Sequence, residues 1–233
     1  MTIKSKKMVA MVMAMAITAA SASTVMASSD TYKGYGSEYD GYVSVANTSY
    51  RDVPETHWAH DAIVRVGEKG WFGGYPDGSF RPEAQISRAE ALKVLVVSHG
   101  LSVVPVTSTS YQDVYPTDWY APYIEAGKGI LPVITVMGQS PFRPNQPVLR
   151  EDMAYALVKV MGLEGATALA DQSVLNMFTD AYSISSTLKP YVAVAVSNGL
   201  LSGFSDNTIR AQDPLSRAEF ATVLYRATFH GYN

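Results

Sequence analysis

No cysteine occurs among the 233 residues, which excludes a disulfide scaffold, a cysteine nucleophile and a lipid-modified N-terminal cysteine. Charge is sparse as well: 17% of residues are charged, the formal net charge is −3, and nothing in that balance suggests a nucleic-acid binder. The four histidines include no His-Glu-x-x-His zinc pair. Beyond the N-terminal segment no apolar run is long enough to cross a bilayer; the most apolar loop, Ile130 to Met137, spans eight residues and contains Pro132. The end of the chain, Thr228 to Asn233, carries neither a hydrophobic tail nor a basic stop. What is present, at 47% hydrophobic residues, is an ordinary globular composition whose stability must come from packing.

The first 27 residues are of a different kind. Lys4, Lys6 and Lys7 form a basic region, Met8 to Ala20 is apolar and small, and Val25-Met26-Ala27 suits cleavage, so residues 1–27 are expected to be a secretory signal peptide. Its removal takes away three lysines and leaves a mature chain of net charge −6 with no transmembrane segment. Residues 28–49 follow as a Tyr/Gly/Ser-rich linker without fixed structure. Tyr32, Tyr35, Tyr39 and Tyr42 could also stack on sugars or on other chains.

The rest is a three-fold internal repeat. Ser87-Arg88-Ala89-Glu90 returns as Ser216-Arg217-Ala218-Glu219, with a blurred copy, Leu149-Arg150-Glu151-Asp152, between them. Ahead of each lies a shorter helical pattern and a loop. Repeat one, residues 50–98, runs from Tyr50-Arg51-Asp52-Val53-Pro54 through His57-Trp58-Ala59 and Gly70 to the turn Gly74-Tyr75-Pro76-Asp77-Gly78. Trp58, Ala62 and Val66 are expected on one face of a short helix that Gly70 terminates. Repeat two, residues 111–162, keeps Trp119 and Gly129 but lacks the Pro-Asp-Gly turn; repeat three, residues 178–228, keeps Gly203 and Asp206 but has Thr187 in the tryptophan's place.

In the first and third copies Ser and Glu, three residues apart, form a capping box in which each satisfies a backbone N–H of the other. Leu149 cannot cap, although Asp152 still suits a helix N-terminus. Ile86, Ala89, Leu92, Leu95 and Val96 make one apolar face for the helix that follows. The arginines are out of place by this logic, because a cation at the first helical position opposes the dipole by about 0.3–1 kcal/mol. Either each pairs with an acid nearby or in the next repeat, or each joins free helix N–H groups in receiving a carboxylate from outside. A helix pair this small cannot cover its own apolar face. The expectation is therefore an all-α fold, three helix-loop-helix units packed as a pseudo-three-fold trimer around a central three-helix bundle, with clefts of unequal lining between them.

These residues closely resemble the S-layer homology (SLH) repeat, whose hallmark is Thr-Arg-Ala-Glu at the start of the second helix. The resemblance covers residues 50–228 and is strongest in repeat one. It implies a secreted, monomeric anchor at a Gram-positive cell wall that binds secondary cell-wall polysaccharide through its pyruvylated terminal sugar. By position, Arg88, Arg150 and Arg217 would meet the pyruvate carboxylate. Ser87, Ser216, Glu90 and Glu219 complete the helix starts, Trp58 and Trp119 would wall the grooves, and Gly74, Asp77, Gly78, Gly203 and Asp206 would line them. Repeat two departs from the pattern at Leu149, Glu151 and Asp152, which predicts unequal grooves dominated by repeats one and three.

The resemblance implies no cofactor, metal or catalytic group. His57, His60 and Asp61 have metal-like spacing, but His57 stands where the family starts its helix; Asp77 and Ser79 are too few for a calcium loop. An alternative role is an exported adaptor that recruits other surface proteins through the tyrosine-rich segment. A periplasmic tether is disfavoured because such relatives append a β-barrel.

Overall fold

Seven α-helices joined by loops and turns organise residues 49–135 and 137–229, the residues described by the computed structural model. They are α1 (His60–Glu68), α2 (Arg88–Ser98), α3 (Ala121–Ala126), α4 (Arg150–Val160), α5 (Glu164–Thr167), α6 (Lys189–Ser197) and α7 (Arg217–Phe229). No β-strand occurs among the described residues, in keeping with the expected all-α class. The expected signal peptide and all of the tyrosine-rich linker but Ser49 lie outside the described residues.

Local chemistry sets the helix ends. Ser87 accepts from the backbone N–H of Glu90 while Glu90 accepts from that of Ser87, completing the box on α2. Ser216 and Glu219 do the same on α7. On α4 only the carboxylate half survives, Asp152 accepting from the N–H of Leu149 at 3.2 Å, since leucine has no oxygen to offer. Proline in the first turn of α3 and of α6, Pro122 and Pro190, removes an N–H that would have no partner inside the helix anyway. Gly70, Gly129 and Gly199, at φ 66°, 84° and 68°, end the first-helix stretch of each repeat.

Two expectations change. Trp58 is not on the buried face of α1; it precedes the helix, stacks on His57 and is 62% exposed, while Ala62, Ile63 and Val66 carry the burial. And α2 is buried on more than the face first marked, with Ala91 and Val94 also in the core. The reason lies in how the repeats interlock. The broadest helix pairings join the first helix of each repeat to the second helix of the repeat before it: α3 on α2, α6 on α4, and α1 back onto α7. The third pairing closes the circle.

At its centre the segments leading into the three Arg-led helices meet as a ring of backbone. Ile86 N–H donates to the carbonyl of Leu215, Leu215 N–H to that of Val148, and Val148 N–H to that of Ile86, at 3.1, 3.0 and 3.0 Å. Ile86 and Val148 are wholly buried and Leu215 nearly so, which places three apolar side chains and three satisfied amides where the three repeats meet.

Candidate functional site

Each arginine at the first helical position is built into a joint between repeats. The Arg88 guanidinium donates from Nε to the carbonyl of Phe142 at 2.9 Å, from one terminal nitrogen to Asp152 at 2.8 Å and from the other to the carbonyl of Pro132 at 2.6 Å. Arg217 donates to the carbonyls of Phe80 and Gly73, both at 2.8 Å, with its guanidinium carbon 4.4 Å from the Phe72 ring centre. Arg150 donates to the carbonyl of Ser202 at 2.6 Å and lies 4.8 Å from the Phe204 ring centre, but its buried Nε has no partner among the described residues. Pro132, Ser202 and Gly73 each stand three residues after the helix-ending glycine, so every arginine reaches the same place in the next repeat.

The helix N–H groups that could have received an outside carboxylate are occupied. Those of Arg88 and Ala89 donate to the carbonyls of Gln146 and Pro144; those of Arg150 and Glu151 to Asp213 and Ala211; those of Arg217 and Ala218 to Ala84 and Pro82. The neighbouring repeat fills each helix end with its own backbone. This corrects the expectation of free N–H groups beside the arginines.

Burial governs the charges here. It pushes the pKa of Arg88 and of Arg150 down, and it pushes the Asp152 carboxyl up despite the opposing pull of Arg88. Arg88 and Arg150 keep 7% of their surface and Arg217 keeps none. The acids that set repeat two apart are both engaged, Asp152 by Arg88 and Leu149, and Glu151 by the N–H and hydroxyl of Ser185 at 2.9 and 2.6 Å.

Sequence reasoning missed a third recurrent group. Asp52, Asp113 and Asp180 each accept from two consecutive backbone N–H groups: Phe80 and Arg81, Phe142 and Arg143, Ile209 and Arg210. Their grip holds Arg81, Arg143 and Arg210 at φ 57°, 60° and 52°, left-handed geometry that a non-glycine residue adopts only when held there. The signal was in the spacing, because aspartate precedes that arginine by 29, 30 and 30 residues.

In repeats one and three this loop arginine is clamped again. Arg81 reaches Asp77 and the Ser79 hydroxyl, and Arg210 reaches Asp206 and the Thr208 hydroxyl. Their guanidinium carbons lie 3.9 Å from the Tyr75 and Phe204 ring centres respectively. Hydrogen bonds from Ser79 hold the Asp77 carboxyl down at about 2, with Arg81 and Arg51 adding to the effect; Thr208, then Arg210, do the same for Asp206, also at about 2. Gly78 takes φ 79° in the turn, where repeat three uses Asn207 at 60°. Gly74 and Gly203 serve close approach: a Cβ there would strike the Tyr50 ring and the Ser79 carbonyl, or the Phe178 ring and the Thr208 carbonyl.

The predicted site residues therefore fall into several settings. Arg88, Arg150 and Arg217 lie inside the joints, Gly74 and Gly203 pack against Tyr50 and Phe178 of their own repeats, and Asp77, Gly78 and Asp206 shape loop tips. Ser87, Glu90 and Trp119 do come together, in an open cleft of about 540 Å³ between repeats one and two that Gln85, Tyr120 and Asn145 also line. Lys93, one turn along α2 from Glu90, lies 5.5 Å from the ring centres of both Trp119 and Tyr123. Burial, then Asp118, pushes the Tyr120 phenol up to about 12, so it keeps its proton at any physiological pH. Tyr120 and Asn145 were not foreseen; they sit beside recognised motif positions without belonging to them.

The described residues thus form an all-α domain of three interlocked repeats with a cleft where repeats one and two meet. The S-layer homology domain model matches residues 49–92, 110–154 and 178–221, and the chain belongs to that family. Relatives include cell surface glycoprotein 1 of Acetivibrio thermocellus, 30% identical over 70% of this chain and 7% of its own length. The S-layer protein of Bacillus thuringiensis subsp. finitimus is 33% identical over 58% of this chain and 17% of its own. An amylopullulanase of Thermoanaerobacterium thermosulfurigenes is 27% identical over 86% of this chain and 11% of its own. The match thus spans less than a fifth of each of these longer proteins. Family and relatives together identify a cell-wall anchoring module of the cell surface. No helix among the described residues is long and apolar enough to cross a membrane.

Proposed function

We propose that the protein holds itself to the wall by binding secondary cell-wall polysaccharide in the clefts between repeats, without catalysis. The observation that carries this is the Trp119 cleft. An indole and a phenol side by side, with a carboxylate, a hydroxyl and amides around them, offer an apolar face for a sugar ring and hydrogen-bonding groups for its hydroxyls. A carboxylate on the polysaccharide, such as a pyruvate ketal on its terminal sugar, finds its best support at the junction of repeats two and three. There Arg150 has an Nε without a partner among the described residues, Glu219 and Asp213 attract its guanidinium while Arg210 and Arg226 press on it with like charge, and Arg226 approaches Ser202 at 3.4 Å. Arg88, matched by Asp152, and Arg217, without exposed surface, serve in this reading to hold the cleft walls in position.

Calorimetric titration of intact and depyruvylated polysaccharide into the wild type, Trp119→Ala and Arg150→Ala tests the reading. Trp119→Ala is expected to weaken both ligands by about tenfold or more, since an aromatic anchor contributes on the order of 1.4 kcal/mol or above. Arg150→Ala should abolish the preference for the pyruvylated form. Equal losses from Arg88→Ala, Arg150→Ala and Arg217→Ala, or no binding by the wild type, would overturn it.

A further inference from the structure

We propose a second saccharide subsite, centred on Arg143, that continues the Trp119 cleft and makes this chain recognise at least two consecutive sugar units. The inference rests on reading the Trp119 cleft as a saccharide site, and begins from a contrast among the loop arginines. Arg81 and Arg210 are each fixed by an aspartate four residues earlier and a hydroxyl two residues earlier, and each lies on an aromatic ring. At the corresponding places before Arg143 stand Gln139 and Pro141, which supply neither carboxylate nor hydroxyl. Its backbone is nonetheless held as firmly as the others, with Asp113 accepting from Phe142 and Arg143 N–H at 2.8 and 2.7 Å. The Arg143 guanidinium itself bonds nothing among the described residues.

Arg143 lines a second pocket of about 480 Å³ with Asp113, Tyr115, Asp118, Tyr120, Asn145 and Gln146. Tyr120 and Asn145 belong to both pockets, so the two are contiguous. The ligand class follows from the lining. A guanidinium, two carboxylates, two amides and two phenols mix donors and acceptors, which suits the paired hydroxyls of a neutral sugar; the acids disfavour a second anionic group. Tyr115, 64% exposed beside these groups, offers an aromatic edge to the sugar ring. Together the two pockets form a track along the repeat-two loop, and the loss of the aspartate clamp, which looks like decay in repeat two, is what frees the arginine to line it.

The test is a length series. Polysaccharide fragments of one, two and three units, prepared from the producing organism's own wall, are titrated into the full secreted chain, its Arg143→Ala and Tyr115→Ala variants, and Trp119→Ala. The wild type is expected to bind two units at least about tenfold more tightly than one. Arg143→Ala and Tyr115→Ala should erase that gain while leaving one-unit affinity unchanged, and Trp119→Ala should weaken every fragment. Affinity independent of length, or a gain that survives both Arg143→Ala and Tyr115→Ala, would overturn the second subsite alone. Failure of every fragment to bind would overturn the parent reading with it. Both substituted side chains are exposed and outside the core, so unchanged circular dichroism and melting are expected to accompany the lost gain.

Discussion

Arg217 is a large cation with no exposed surface, and its surroundings explain how the fold tolerates it. Its donors go to carbonyls of repeat one, and its face lies against Phe72, Phe80 and Tyr75. Removing it leaves buried carbonyls without donors and a cavity among aromatic rings, so Arg217→Ala should cost about 3 kcal/mol or more in denaturant unfolding. The Arg88–Asp152 pair makes a sharper case. Burial outweighs mutual attraction for both partners, so the intact pair adds little to stability, yet removing one partner strands the other. Asp152→Ala is expected to destabilise by about 3–5 kcal/mol, and the Arg88→Met/Asp152→Ala double variant to recover only part of it, because the carbonyls of Phe142 and Pro132 still lose their donor. A double variant as unstable as the single one would contradict this account. From sequence the misplaced arginines were visible, and pairing with an acid of the next repeat, one of the two alternatives, holds for Arg88 with Asp152, but the carbonyl partners were not visible. Their repetition in three copies shows a shared role, whereas the partner carbonyls belong to another repeat and leave no side-chain signature.

At the scale of helices and loops, what could be read in advance was local. Ser87 with Glu90 and Ser216 with Glu219 form the boxes their spacing implies, and Leu149 fails to cap for want of an oxygen. What could not be read was the course of the loops, because Asp52, Asp113 and Asp180 act across about 30 residues to hold the left-handed arginines. The two turns built on Asp77 and Asp206 have a pH signature. Both carboxyls titrate lower in the fold, at about 2, than their ordinary value of 3.8. A lowered carboxylate contributes stability that is fully present above 3.8 and is lost as pH falls through about 2. Amide resonances of Ser79 and Thr208 should therefore titrate together with midpoints near 2; midpoints near 3.8 would show that the clamps do not form. The repeat-two loop has no such aspartate and should show no matching transition.

Over the whole molecule the three-fold repeat announces itself in sequence, but the order of docking does not. Periodicity marks each helix's apolar face without saying which neighbour covers it, and here each first helix is covered by the repeat before it. The circle closes only when α1 meets α7. A chain ending before residue 178 would lose α7 and α6 together, leaving the apolar faces of α1 and α4 uncovered. Such a truncation should not give a cooperatively folded two-repeat protein, and thermal unfolding with a sharp transition in it would contradict the interlocked arrangement. Docking of neighbouring repeats also creates the cleft, because Ser87 and Glu90 face Trp119 and Tyr120 only when repeats one and two are joined. The measurement that bears most directly on the anchoring role is co-sedimentation of purified residues 28–233 with cell-wall sacculi before and after chemical removal of their secondary polysaccharide. The account predicts binding that disappears with the polysaccharide and is weakened by Trp119→Ala; binding that persists on stripped sacculi would contradict it.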